Sequence, residues 1–284
     1  MTRALFDSHL HSWERARNPQ PWIDPATMPD IDRDFTLGDA AATLAGCGVA
    51  GAVVVQAVNS AQETLDLMTA ATAPVGGVVG WVDLTGDVRG QIAVLRSAEG
   101  GSSLVGVRHL AHLEEDSMWL VRPDVSAGIG AVGDAGLPVD VVVRAHQLQV
   151  VARLADDHPG VRLVLDHLGK PPLLAGGAEL DRWADDLADL ARRANVVAKI
   201  SGLTIEDDWN AWSVDRLARV VDLALAAFGP DRLMFGSDWP LVNLTGGYAA
   251  WCDAYLELTC GLSPGEQAAV DQAVARDVYG VRHV

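Results

Sequence analysis

Near the amino terminus, the stretch FDSHLHSW spans residues 6–13 and places Asp7, His9 and His11 at alternate positions. If this stretch is a β-strand, all three side chains leave the same face. Imidazole and carboxylate groups bind divalent metals and exchange protons near neutral pH. The spacing therefore predicts a catalytic or metal-binding site at the end of the first strand, with Asp7 supporting the two histidines.

Two further groups of the same kind close later apolar runs. His167 stands in LVLDHLGKPP and Asp238 stands in FGSDWP. With a divalent ion, His9, His11 and Asp238 would be ligands, and a bound water would ionise near pH ~7. Without an ion, Asp238 would take the proton from water while His9, His11 and His167 polarise a carbonyl oxygen. Both routes predict attack of water on an ester-like or amide-like carbonyl.

Other polar and aromatic residues at strand ends are candidates for substrate contact. Arg108 is the best anchor for a carbonyl or anionic oxygen because its guanidinium donors are forked, and its neighbour His109 should face the other way. Asp166 is likewise expected to point away from His167. The remaining candidates are Gln56, His146, Lys199, Trp13 and Trp239.

The elements that must position these residues are eight short apolar runs, each followed by a helical pattern. The runs are rich in Val, Leu and Ile and nearly continuous, which is typical of parallel strands buried on both faces. They cover residues 4–10, 51–58, 76–84, 103–110, 137–146, 161–168, 195–203 and 231–239. In a barrel of such strands the chemistry gathers at their carboxyl ends.

Helix signals separate these runs. Ser60 to Glu63 and Ser263 to Glu266 both read as capping boxes. Stripes of 3.6-residue period run over 180–191 and 217–228. We therefore predict an α/β fold, a (β/α)8 TIM barrel of the metal-dependent-hydrolase type, formed by one domain over residues 1–284. An open doubly wound sheet is the alternative, but no GxGxxG follows the first strand.

Composition excludes several classes of function. The formal net charge of −17 would repel a nucleic acid, and no apolar stretch is long enough to span a membrane. The three cysteines form no CxxC pair, and the amino terminus lacks a secretion signal, which together favour the cytoplasm. The expected partner is a small-molecule substrate, and assembly into a homo-oligomer is left open.

Together these motifs resemble the amidohydrolase superfamily, and more narrowly its amidohydrolase-related (type 2) branch, which includes sugar lactonases and 2-pyrone-4,6-dicarboxylate lactonase. The resemblance rests on DSHLHSW, GVR at 106–108, LDHLGKP at 165–171, KISG at 199–202 and FGSDWP at 235–240. It implies a barrel that hydrolyses lactones, with His9, His11, His167 and Asp238 as the site. Arg108 would then bind the substrate.

The cofactor and the substrate stay open at this point. The fourth strand ends in Val-Arg-His without the carbamylated lysine of two-metal members, so the choice is between no cofactor and one divalent ion, with Zn²⁺ the best match. A sugar-acid lactone is favoured over a pyrone dicarboxylate because few cationic anchors can be assigned. The alternatives are a metal-dependent decarboxylase and a non-catalytic barrel that binds a small molecule.

Overall fold

A computed structural model describes residues 3–281 of the chain. Within this range, eight parallel strands form one sheet in sequential order, β1 to β8. Their bounds are Leu5–Leu10, Val49–Val55, Val75–Gly80, Leu104–His109, Val139–Val141, Leu163–Leu165, Val196–Ile200 and Leu233–Phe235. Each strand coincides with one predicted apolar run. The predicted (β/α)8 barrel is confirmed, and the open doubly wound sheet is excluded by the strand order.

The barrel closes between its first and last strands just beyond their carboxyl ends. Leu10 and Trp239 form a parallel bridge. The His11 amide donates to the Trp239 carbonyl (2.6 Å), and the Asp238 amide donates to the His9 carbonyl (2.8 Å). Three of the residues predicted to do chemistry, His9, His11 and Asp238, therefore lie at the seam that closes the barrel.

Helices cover the outside of the sheet. Along the described range they are α1 Leu37–Gly46, α2 Ala61–Ala70, α3 Val88–Ser97, α4 Pro123–Asp134, α5 Leu148–Asp157, α6 Gly177–Leu190, α7 Val214–Phe228, α8 Tyr248–Leu258, α9 Pro264–Ala268 and α10 Val274–Tyr279. A π-helical stretch, Ala269–Ala273, joins the last two. None of these helices combines the length and apolar character that crossing a bilayer requires.

Helix α7 shows how the sequence pattern becomes packing. The side chain of Ser213 caps its first turn by accepting from the Arg216 amide (3.4 Å). The apolar stripe is fully buried against the sheet: Leu217, Val220, Val221, Ala224 and Phe228. Each large side chain in such a stripe contributes roughly 1.5–3 kcal/mol. Gly229, with φ of +70°, ends the helix in a conformation that favours glycine.

The two predicted capping boxes have different outcomes. Ser263 and Glu266 form the full reciprocal pair that opens α9. Ser60 caps α2 by accepting from the Glu63 amide, but the Glu63 carboxylate does not reach back to Ser60. It turns instead into the barrel mouth, where the amides of Ala57 and Val58 donate to it (3.0 Å each). The second half of that predicted box is therefore wrong, because the loop after β2 offers it two amides.

Two clusters form the core. The larger lies between the sheet and its helices. The smaller fills the amino-terminal end of the barrel, where Tyr279 and Val281 from the end of the described chain pack with Phe6, Val197 and Met234. This end is closed by apolar packing, so the opposite end, at the carboxyl termini of the strands, is the open one.

Candidate active site

His9, His11 and Asp238 meet at the seam between β1 and β8. The Nε2 atoms of His9 and His11 are 3.2 Å apart, and His11 Nε2 lies 3.2 Å from Asp238 Oδ1. His9 Nε2 is 3.7 Å from the same oxygen. Asp238 has φ of +61°, a strained value for a residue with a side chain. The strain turns the residue out of the strand direction and toward the two histidines.

Asp7 holds this seam through its carboxylate. Oδ1 accepts from the amides of His9 (3.0 Å) and Ser237 (2.9 Å), and Oδ2 accepts from the Tyr248 hydroxyl (3.0 Å). Burial raises the pKa of Asp7 to about 6, with these hydrogen bonds opposing the rise. Asp7 thus fixes the backbone on both sides of the site, and none of these three hydrogen bonds involves an imidazole ring.

His167 reaches the same point from the end of β6. His167, Leu168 and Lys170 all have φ between 50° and 55°, and Gly169 has φ of +70°. Such a left-handed turn costs roughly 1–2 kcal/mol for each residue with a side chain, and strain of this kind clusters at functional sites. The turn places His167 Nε2 4.0 Å from Asp238 Oδ1, while Nδ1 lies 2.9 Å from the Ser201 hydroxyl.

The same turn corrects the prediction for Asp166. The sequence pattern points it away from His167, but β6 ends at Leu165, so strand alternation no longer applies. Asp166 is fully buried inside the barrel. Its Oδ1 lies 3.2 Å from His9 Nδ1, and its Oδ2 accepts from Arg108 Nη1 (3.0 Å). Asp166 is therefore one of the groups that hold His9 in place.

Lys199 is buried in the barrel interior and does not line the cavity above Asp238. It is fully buried, and its Nζ contacts Asp140 Oδ2 (2.5 Å), Asp166 Oδ1 (2.9 Å) and His9 Nδ1 (3.1 Å). The Tyr279 hydroxyl donates to the Asp140 carboxylate (2.8 Å). The sequence predicts Lys199 as a substrate contact; the structure gives it a buried ion network instead.

The protonation of the site follows from its burial. Burial lowers the pKa of His9 well below its ordinary value and that of His167 to about 4, so both imidazoles are neutral at pH 7. Burial would raise the pKa of Asp238, but the surrounding imidazoles of His167, His9 and His11 hold it below its ordinary value. Asp238 is thus a carboxylate beside the neutral rings of His9 and His167, the protonation state required of a base.

A cavity of about 140 Å³ opens above these groups. Its polar lining is His11, Arg108, His112, His167, Lys170 and Asp238; its apolar lining is Trp22, Ala57, Leu110, Leu113, Val142 and Leu241. The Arg and Lys side chains of this lining are already paired: Arg108 with Asp166, and Lys170 with Glu206 (2.5 Å). The cavity is thus small, with a carboxylate floor and an apolar wall.

Four predicted substrate contacts lie elsewhere. Trp13 and Trp239 are buried against Phe35, with ring centroids 5.7 and 5.3 Å from it, so they support the wall from behind. Gln56 is fully buried and donates to the Arg108 carbonyl (3.2 Å). His146 lies at an exposed position of the short helix after β5 and lines a neighbouring groove that shares Lys170 with the cavity. None of these four residues lines the cavity above Asp238.

Two residues that line the cavity lie in loops, where sequence periodicity gives no signal. Trp22 follows β1 by a dozen residues, and its ring packs edge-on against Trp13 at 5.6 Å. His112 follows β4, and its Nδ1 is a buried atom without a hydrogen-bond partner. The β4 loop is held by His109, which faces outward as predicted and bonds Glu114 (2.7 Å). Motif matching could have found neither residue.

The donor atoms at the floor suit a divalent metal ion. One ligand atom from each of His9, His167 and Asp238 lies within 4.8 Å of the others. His11 Nδ1 donates to the Val55 carbonyl (2.7 Å), which leaves its Nε2 as the free nitrogen facing Asp238. Asp238 Oδ1 is buried and has no hydrogen-bond donor among the described residues. An unpartnered carboxylate oxygen among imidazole nitrogens fits a cation such as Zn²⁺.

Comparison with known proteins agrees with this geometry. The family model described as amidohydrolase matches residues 6–281. An L-fucono-1,5-lactonase of Burkholderia ambifaria is 34% identical over 93% of this chain and 91% of its own. A second L-fucono-1,5-lactonase, from Burkholderia multivorans, is 37% identical over 86% of this chain and 84% of its own.

A solved structure of an amidohydrolase from Burkholderia multivorans with bound zinc superposes with a TM-score of 0.91 at 32% identity, covering 98% of this chain and 99% of that one. The predicted resemblance is confirmed over essentially all of the described residues. The chain belongs to the amidohydrolase family.

Proposed function

We propose that this protein hydrolyses a lactone of a sugar acid, with Asp238 as the base that activates water. One observation carries the proposal: an ionised, buried carboxylate without a hydrogen-bond donor on Oδ1 stands beside the neutral imidazoles of His9 and His167 at the floor of a small cavity. Two relatives that match most of the chain are L-fucono-1,5-lactonases, which supports the same reaction class.

The cavity favours a small, uncharged ring. Its volume of about 140 Å³ is below the ~300–1,000 Å³ of pockets for drug-sized ligands. Because Arg108 and Lys170 are already paired with carboxylates, little cationic charge is left for a pyrone dicarboxylate. The apolar wall of Trp22 and its neighbours suits a lactone that carries a methyl group, as an L-fuconolactone does.

The reaction follows from these positions. Asp238 takes a proton from water as the water oxygen bonds to the lactone carbonyl carbon, and the carbonyl π electrons move onto its oxygen. Arg108 and the imidazole of His167 line the cavity and would stabilise that oxyanion. The carbonyl then re-forms, the ring C–O bond breaks, and the departing alkoxide takes the proton from Asp238. The product is an open-chain hydroxy acid.

His9 and His11 complete the floor of the site. Asp166 holds His9 and the Val55 carbonyl holds His11, so the rings cannot turn away from Asp238 without losing a hydrogen bond. If a divalent ion is bound, His9, His11, His167 and Asp238 would hold it, and it would polarise the carbonyl and lower the pKa of water. The roles of Arg108 and the apolar wall in binding are the same in either case.

A panel of aldonolactones, including L-fuconolactone, tests the proposal by acid release in an indicator assay. We expect turnover by the wild type and a loss of about 10³-fold or more in kcat for Asp238→Asn, which keeps the shape but removes the base. Asp124→Asn, at an exposed carboxylate, is the matched control.

The same panel is run before and after a chelator, with elemental analysis of the protein as isolated. Loss of a stoichiometric metal together with activity would assign the ion, and activity without metal would assign the reaction to the side chains alone. No turnover of any lactone, or an Asp238→Asn variant as active as the wild type, would refute the proposal. Release of CO₂ from an aromatic acid instead would identify a decarboxylase.

A further inference from the structure

Glu63 is a buried carboxylate that the proposed reaction does not use. It is 1% exposed, at the start of α2. Its hydrogen bonds come from uncharged donors: the amides of Ala57 and Val58 on Oε2, and Gln20 Nε2 on Oε1 (3.2 Å). Burial raises the pKa of Glu63 to about 7, and these bonds and the charge of Arg108 oppose the rise. Burying a carboxylate that has no paired cation costs free energy, which indicates that Glu63 has a specific role at this position.

The donors that Glu63 holds belong to the wall of the cavity. Ala57 lines the cavity directly. Gln20 is 1% exposed and links Glu63 to Trp22. Its Oε1 accepts from the indole Nε1 of Trp22 (2.9 Å), and Trp22 also lines the cavity. One carboxylate therefore ties the segment after β1 to the loop after β2, across the mouth of the barrel.

We propose that Glu63 is a positioning residue that sets the apolar wall of the pocket, and with it the affinity for substrate, through Gln20 and Trp22. This inference rests on the proposed lactone hydrolysis. Glu63 lies behind the wall and touches no reacting atom, so it acts on binding and leaves the step at Asp238 unchanged.

The directions of these hydrogen bonds determine what the substitution Glu63→Gln would change. In the ionised form of Glu63 both oxygens accept, which directs the Gln20 amide nitrogen toward Glu63 and the Gln20 oxygen toward the Trp22 indole. In Glu63→Gln, the new amide keeps one oxygen for Ala57 and Val58 and turns its NH₂ to Gln20. Gln20 must then flip to accept it, and the Trp22 N–H loses its acceptor. The isosteric change thus acts at Trp22, two side chains away.

A purely structural role of Glu63 predicts no increase in KM in Glu63→Gln. Replacing a buried carboxylate that has no paired cation by an amide of the same shape removes a desolvation cost, so stability should hold or rise. The proposal predicts that KM rises while kcat stays. We expect KM for the lactone to increase about 3- to 10-fold in Glu63→Gln, the value of one lost hydrogen bond, with kcat within about 2-fold.

A double-mutant cycle with Trp22→Phe tests the route. Phe removes the indole N–H, so it should raise KM to a similar degree, and adding Glu63→Gln should then have no further effect. Glu99→Gln makes the same chemical change at an exposed site and should match the wild type. Unchanged KM in Glu63→Gln, additive effects in the double variant, or equal losses in kcat and kcat/KM would each overturn the proposal.

Amide hydrogen exchange separates this proposal from the assignment of the substrate. Exchange of the Trp22 indole N–H and of the Gln20 and Trp22 amides should be faster in Glu63→Gln whether or not any lactone is hydrolysed, whereas the Ala57 and Val58 amides keep an acceptor. If exchange in these groups is unchanged, the positioning role of Glu63 is wrong even if the protein is a lactonase. If Glu63→Gln fails to fold, Gln20→Met, which also removes the acceptor of the Trp22 N–H, is measured in its place with the same expectations.

Discussion

Gly202 shows how closely the reactive side chains are packed. It follows β7 with φ of +62°, and a Cβ at this position would lie 2.6 Å from His167 Nδ1 and 2.9 Å from Asp238 Oδ2. Both distances are shorter than the nonbonded contacts that a Cβ atom makes in proteins. A residue without a side chain is therefore what allows His167 and Asp238 to approach each other, which links a backbone property to the proposed chemistry.

We predict that Gly202→Ala lowers kcat/KM by about 100-fold or more, because a shift of about 1 Å in a catalytic group has that effect. Gly136→Ala is the matched control: its φ is +73°, but nothing lies within 4 Å of the added carbon. It should lose about 1–2 kcal/mol of stability from the backbone alone and keep its activity. Equal activity losses in the two variants would contradict the steric explanation.

At this scale the sequence could predict the residues that belong to strands and motifs. His9 and His11 follow from two-residue spacing, and His167 and Asp238 from their places at the ends of apolar runs. Trp22 and His112 could not be predicted, because a loop has no periodicity that reports which way a side chain points. Trp13 is predicted as a substrate contact, but it forms an antiparallel bridge with Phe35 and packs against that ring instead.

Strands β5, β6 and β7 are joined below the site by charge as well as by hydrogen bonds. Lys199 on β7 contacts Asp140 on β5 and Asp166 beyond β6. Arg108 on β4 also pairs with Asp166, so two cations balance two carboxylates in the closed interior. Burial raises the pKa of Asp140 to about 6 while Lys199 opposes the rise, and Lys199, His9 and Arg108 hold that of Asp166 well below its usual range.

We predict that Lys199→Met lowers the free energy of unfolding by about 3–5 kcal/mol, because it leaves two buried carboxylates with only Arg108. Adding Asp140→Asn should recover part of that loss. Urea unfolding followed by circular dichroism measures both. A loss below about 1 kcal/mol in the single variant, or no recovery in the double variant, would show that the network does not stabilise the barrel.

The elements themselves could be predicted more fully than their ends. Continuous apolar runs identify strands buried on both faces, and all eight are present among the described residues. Yet β5, β6 and β8 contain only three residues each. The runs continue past the sheet because the residues that leave it, such as Leu168, are buried as well. Hydrophobicity reports burial, and here burial extends beyond hydrogen-bonded strand.

Over the whole molecule, the net charge complements the proposed reaction. The chain carries a formal charge of −17. A neutral lactone feels no net repulsion from this field, whereas the hydroxy acid formed from it is an anion and is repelled. The cations near the cavity are already paired, so they do little to retain the product. The same charge distribution that weakens the case for a dicarboxylate substrate therefore favours release of a carboxylate product.

Histidines held away from water couple stability to pH, and the partly buried His112 is the one best placed to measure this. Burial, with the nearby charges of Lys170 and Arg108, lowers the pKa of His112 to about 3. Below pH 6.5, the ordinary value, the unfolded chain therefore binds a proton that the folded chain does not. Each pH unit in this window lowers the free energy of unfolding by about 1.4 kcal/mol, and the loss continues as pH falls toward 3.

We predict that His112→Gln, which cannot take up this proton, loses less stability than the wild type on acidification. Between pH 6.5 and pH 4.5 the difference in free energy of unfolding between variant and wild type should move by about 2 kcal/mol in favour of the variant. Urea unfolding at several pH values measures it, with His146→Gln at the exposed histidine as the control. Parallel curves for His112→Gln and the wild type would mean that the imidazole takes up its proton equally in both states, and hence that His112 is open to water in the folded protein.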